Sequence, residues 1–138
     1  MKTSRLLRKL IRACVDDERT LQHERHFVDS GRGVTLTRLA RERQQFVVDL
    51  AALAEPGQSG PDGSWSELLR EVGRNMQVAA AGRNSGDAVA TCRHSRSRTE
   101  ACYDRALQSF WPAEMRCMLE SQQGRLHEEA DELNRLQF

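Results

Sequence analysis

Apolar residues recur at three- and four-residue steps in four separate stretches of the chain, and no stretch alternates β-branched with polar residues. Together these patterns restrict the chain to packed amphipathic helices. In the first stretch Leu7, Leu10, Ile11, Cys14, Leu21 and Val28 fall on one side of a helix. Leu36, Leu39, Phe46, Leu50 and Leu53 do so in the second. The third carries Ala88, Cys92, Ser95, Thr99, Tyr103, Ala106 and Phe110, and the fourth Met115, Met118, Leu119, Leu126, Leu133 and Leu136. A further set, Trp65, Leu68, Leu69, Val72, Met76 and Val78 or Ala79, predicts a helix within residues 64–81.

Punctuation sets the boundaries. Thr3 or Ser4 can cap the first helix and Gly31-Arg32-Gly33 closes it; Thr35 can cap the second and Pro56-Gly57 ends it. Residues 57–63 read as an exposed loop, and Gly82 to Gly86 break the chain again. Asp87 opens the third helix, and Pro112 stands where a first-turn proline starts the fourth. The main helices are therefore predicted over residues 5–30, 35–55, 87–109 and 112–136. Two short turns and one long connection make an all-α four-helix bundle whose crossover, between helices two and three, carries the extra helix. Residues 1–138 form a single domain, a length that can bury a real core.

Each stripe is interrupted at mid-height by a polar residue: Glu18, Glu42, Arg96 at a flank, and Gln122, with Glu129 close by. In bundles that bind two iron or manganese ions, inward carboxylates sit at this level. Here a guanidinium enters the layer, and its charge opposes divalent ions in a low-dielectric interior. The same cation suits carboxylates that would otherwise be buried like charges. The expected arrangement is a structural polar layer in which Arg96 pairs with Glu18 and Glu42 while Gln122 completes the hydrogen bonds.

Leu10 to Glu18 followed by Leu21, Leu39 to Phe46 with Asp49-Leu50, Cys92 to Leu107, and Trp111-Pro112 through Gln122 resemble the four helices of an uncharacterised bacterial branch of the ferritin-like superfamily, a domain of unknown function. The resemblance runs over nearly the whole chain and implies a ferritin-like bundle. A di-metal site of that kind takes a Glu from two helices and a Glu-x-x-His pair from each of the other two. Glu18 fits the first role. Glu42 fits a second but is followed by Gln45 where a histidine is wanted, Arg96 stands at a carboxylate position, and Gln122 takes the inner place on the last helix. The expectation is a degenerate centre with no cofactor, in a non-enzymatic protein with a stress-associated or partner-binding role. The alternative is a metal-binding oxidase or storage protein that holds iron or manganese through Glu18, Glu42, Gln122 and Glu129.

Other candidates carry less. His23-Glu-Arg-His26 is not the His-Glu-x-x-His zinc motif, and both imidazoles fall away from the stripe. His94 and His127 also lie off their stripes. Cys14, Cys92, Cys102 and Cys117 show no Cys-x-x-Cys spacing, and Cys92 and Cys102 would stand about 15 Å apart on one helix. Arg93, Arg96 and Arg98 invite a nucleic-acid reading, but the net charge is only +1 and Asp87, Glu100 and Asp104 flank them. Arg8, Lys9 and Arg12 interrupt any signal-peptide core, and no segment approaches transmembrane length, which points to a cytoplasmic protein away from membranes. A protein partner or a homo-oligomer stays open, with Trp65 or Trp111 as contacts if either is exposed.

Overall fold

The computed structural model describes residues 2–54 and 84–136. Four long helices, α1 (Lys2–Glu24), α2 (Ser30–Ala54), α3 (Ser85–Leu107) and α4 (Ala113–Arg135), account for nearly all of them, with one 3-10 turn at Arg25–Phe27. No strand occurs among the described residues. The helix expected within 64–81, the loop at 57–63 and the stop at Pro56-Gly57 lie outside them.

Several boundaries differ from the sequence expectation: α1 already contains Thr3 and Ser4, so neither caps it, and it ends at Glu24 rather than near residue 30, while at the starts of α2 and α3 a side-chain cap outweighs glycine. Gly31-Arg32-Gly33 does not close α1 but forms the first turn of α2. Val28 is extended, and Asp29 rather than Thr35 caps the helix: its Oδ1 accepts from Arg32 N at 2.9 Å and its carbonyl from Gly33 N at 2.8 Å. These bonds occupy amides that every helix start leaves open. Arg32 Nε also donates to Leu136 O at 2.5 Å, which ties the start of α2 to the end of α4. At α3, Asn84 Oδ1 accepts from Asp87 N at 2.9 Å, so the helix begins two residues before Asp87.

The corner between α3 and α4 corrects a core assignment. The helix ends at Leu107, so Phe110 leaves the stripe and is 86% exposed, while Trp111 is 2% exposed. Trp111 Nε1 donates to Ala106 O at 2.7 Å, and Arg116 Nη2 donates to the carbonyls of Leu107 and Ser109 at 3.1 and 2.8 Å. The last carbonyls of α3 are thereby satisfied without a further helical turn. With Trp111 inside, only Trp65, outside the described residues, is left as the expected tryptophan contact.

Two apolar clusters fill the interior. One joins Leu7, Leu10, Ile11 and Cys14 of α1 with Phe46 and Leu50 of α2, Tyr103 and Ala106 of α3, and Leu119 of α4. The other joins Leu21, Leu36, Leu39, Ala40, Cys92 and Leu133. The first therefore gathers the starts of α1 and α4 with the ends of α2 and α3, and the second gathers the opposite ends. Reading along the chain, the helices run up, down, down and up. α1 packs on α2 and α3, and α4 on α3 and α2, so every contacting pair is antiparallel. The parallel α2 and α3 stand on a diagonal, which is the direction pattern of two hairpins joined by a crossover.

Candidate functional site

Between the two clusters lies a polar layer with one residue from each helix: Asp17, Arg43, Ser95 and Glu129. Arg43 Nε donates to Asp17 Oδ2 at 2.7 Å, and Nη1 donates to Glu129 Oε2 at 3.2 Å while Nη2 donates to Glu129 Oε1. Ser95 Oγ donates to the other oxygen of Asp17 at 2.6 Å. The guanidinium carbon sits 5.0 Å from the centre of the Phe46 ring, a cation–π distance. All three charged side chains are at most 1% exposed. A lone buried guanidinium would be prohibitively costly; two carboxylates and an aromatic face replace its water.

The pairing expected of Arg96 with Glu18 and Glu42 is not the one formed. Arg96 Nη1 donates to Glu100 Oε1 at 2.5 Å on its own helix and to Leu126 O at 3.0 Å. Glu18 is buried and accepts from Gln44 Nε2 at 3.1 Å. Glu42 is half-buried and takes Arg125 Nη2 at 2.7 and 2.8 Å and Arg38 Nη1 at 3.0 Å. Gln122 lies towards the first apolar cluster, where it accepts from Tyr103 Oη at 2.5 Å and donates to Phe46 O at 3.4 Å. Cys14 Sγ stands 3.4 Å from the same hydroxyl, which leaves the thiol as donor. Burial pushes that thiol up to about 12, so it is neutral at physiological pH.

The reason for the shift is a helical ambiguity. Seven residues separate Cys14 from Leu21, Leu39 from Phe46, and Cys92 from Thr99, so two positions in each gap are three or four residues from both neighbours. Residues 17 and 18, 42 and 43, and 95 and 96 are those pairs. Helix rotation turned Asp17 and Arg43 fully inward and took Ser95 in place of Arg96. Spacing gave no preference for Arg43 over Glu42, because a buried arginine needs carboxylates, and these come from α1 and α4.

The layer holds more acid than one guanidinium offsets. Burial pushes Glu129 up to about 7, opposed by Arg43 and reinforced by a hydrogen bond and charge from Glu42. Burial acts on Glu42 in the same direction, but its hydrogen bond with Glu129 and the flanking Arg125 and Arg38 hold it below the ordinary carboxylate value. The two carboxylates are therefore shifted in opposite directions, Glu129 up and Glu42 down. Arg43 is held protonated beyond its ordinary range, because Asp17 and Glu129 outweigh the effect of burial.

As a metal ligand set, Glu18, Glu42, Gln122 and Glu129 are divided. Glu42 and Glu129 adjoin, Glu18 is engaged with Gln44, and Gln122 is spent on Tyr103 and a backbone carbonyl. Among the described residues no three His, Cys, Asp or Glu side chains form a group that could hold a metal ion. His23 packs on Phe27 with ring centres 5.4 Å apart, and His26 is exposed. Cys14 and Cys92 are buried, Cys102 is half-buried and Cys117 is exposed.

No protein-family model, curated protein or solved structure matches the chain. Among the described residues no helix is long and apolar enough to cross a membrane.

Proposed function

We propose that the chain is a non-enzymatic helical-bundle protein of ferritin-like plan, whose metal centre is replaced by an ion-pair layer and which acts by binding a partner. The observation that carries the reading is Arg43, buried between Asp17 and Glu129 at the level where such bundles place their metals. A guanidinium there supplies the positive charge that a metal pair would bring, and its hydrogen bonds occupy carboxylate oxygens that ligation requires. The layer's hydroxyl, Ser95, donates to an Asp17 carboxylate that Arg43 already pairs, and the neutral Cys14 thiol faces Tyr103.

The second reading, a metal-binding oxidase or storage protein, draws on the adjoining Glu42 and Glu129 and on the buried Glu18. Elemental analysis of protein purified without chelators, followed by ferrous iron titration with oxygen uptake, separates the two. Metal well below one equivalent and an unchanged melting temperature are expected. Stoichiometric iron or manganese with oxygen consumption would replace the first reading by the second.

A further inference from the structure

We propose that the cleft between α3 and α4 lined by Arg93, Arg96, Ser97, Ala130 and Asn134 binds a phosphate dianion, free or as a small monoester. The cleft encloses about 270 Å³. Arg93, Arg96 and Ser97 stand at i, i+3 and i+4 and so share one side of α3, while Ala130 and Asn134, four residues apart, face them from α4. Each polar side chain in the lining carries a hydrogen-bond donor, and no carboxylate is among them. The small Ala130 leaves open the space that a longer side chain would fill.

The donors are both available and positioned. Arg96 uses Nη1 for Glu100 Oε1 and Leu126 O, which fixes the guanidinium against α4 and leaves its Nε and Nη2 edge unspent. Arg93 is exposed and makes no hydrogen bond or ion pair among the described residues. Arg125 on the same pair of helices contrasts with it, being saturated by Glu42, Glu128 and Glu132. Two guanidinium forks, a hydroxyl and an amide offer more donors than the two oxygens of a carboxylate can accept. A phosphate monoester presents three terminal oxygens, which matches that donor set, and its charge meets Arg93, unpaired among the described residues, beside an Arg96 already paired with Glu100.

Nucleic acid fits the surface less well. Arg98 lies on the other side of α3, in the groove with Asp16 and Cys102 facing α1, so the three arginines do not form one strip. Further along α3 and α4 the next depression is lined by Glu100, Asp104, Glu120 and Glu128, which would repel a continuing phosphate chain. The geometry favours a single phosphate.

The test is a titration with inorganic phosphate and, separately, phenyl phosphate, followed by calorimetry and by NMR of the arginine Nε–H signals. Saturable binding is expected, weakened about tenfold or more by Arg93→Ala, less by Arg93→Lys, and unaffected by Arg98→Ala. Thermal melts of each variant verify the fold, and Asn134→Ala gives a second, charge-neutral probe of the cleft with a smaller expected loss. Tighter binding of phenyl phosphate would identify an ester as the ligand; equal or weaker binding would identify free phosphate. Absence of saturation, or binding indifferent to Arg93→Ala, would overturn the site. Tight binding of a short RNA duplex that Arg98→Ala weakens as much as Arg93→Ala would overturn it in favour of a nucleic-acid surface.

Discussion

Arg43 Nε lies 2.7 Å from Asp17 Oδ2, with both side chains 1% exposed, in the interval between the two apolar clusters. Because the remaining oxygen of Asp17 accepts from Ser95, and the remaining nitrogens of Arg43 reach Glu129, this pair links all four helices. Rotating α1, α2 or α4 by a residue would strand a buried charge, and rotating α3 would take the donor from an Asp17 oxygen. The layer therefore selects helix rotation and register, a role that does not require a large net gain in stability.

Arg43→Met keeps volume but removes the cation, leaving Asp17 and Glu129 buried without it. The expected loss at pH 8 is about 3–5 kcal/mol in chemical denaturation. Adding Asp17→Asn and Glu129→Gln should recover much of it, since the stranded charges disappear. Effects that simply add would show that the three side chains do not act as one network.

Glu129 gives the bundle a pH dependence of defined sign. Its folded value of about 7 exceeds the ordinary 4.5, so the folded state holds the proton more tightly. The stability this group contributes is complete below 4.5 and disappears as pH rises to about 7. Asp29 and Glu42 are shifted down, chiefly by the Arg32 backbone amide for Asp29 and, against burial, by hydrogen bonds for Glu42. Their contributions are lost on the acid side of the ordinary carboxylate range. Maximal stability is expected in mild acid, and Glu129→Gln should flatten the decline towards neutrality. A wild-type melting temperature that rises steadily from mild acid to neutral pH would contradict the assignment.

Tyr103→Phe removes the donor to Gln122 Oε1 and the acceptor for the Cys14 thiol. An unsatisfied amide oxygen in this interior should cost about 1–3 kcal/mol. Gln122→Leu in the same background should restore part of the loss, because the orphaned oxygen goes with it. Equilibrium denaturation of the single and double variants measures the difference.

The α3–α4 corner predicts opposite outcomes for neighbours. Trp111→Ala removes a buried ring and its bond to Ala106 O, and should cost about 3–5 kcal/mol. Phe110→Ser should change stability by no more than about 0.5 kcal/mol, because its ring is exposed. Similar melting temperatures for the two variants would place the end of α3 elsewhere.

The apolar periodicity by itself determined the four main helices, the absence of strands among the described residues, and most of the buried faces: Leu10, Leu39, Cys92 and Leu126 lie inside as the stripes require. It also placed a polar interruption at mid-height and marked Gln122 and Glu18 as inward, and both are buried. Tertiary structure alone decided that Asp17 and Arg43, rather than the neighbouring Glu18 and Glu42, form the layer's ion pair, whereas Ser95 already lay on its stripe with Arg96 at the flank. Neighbouring helical positions differ by only about 100° of rotation, and the choice of Arg43 over Glu42 depends on carboxylates brought from α1 and α4. Helix starts followed the same logic. Glycines at 31 and 33 read as a stop, yet Asp29 supplied the capping oxygen, and Arg32 found the end of α4. The cap is local, whereas the bond from Arg32 to Leu136, 104 residues along the chain, comes from the packing of α2 on α4, to which sequence spacing gives no access.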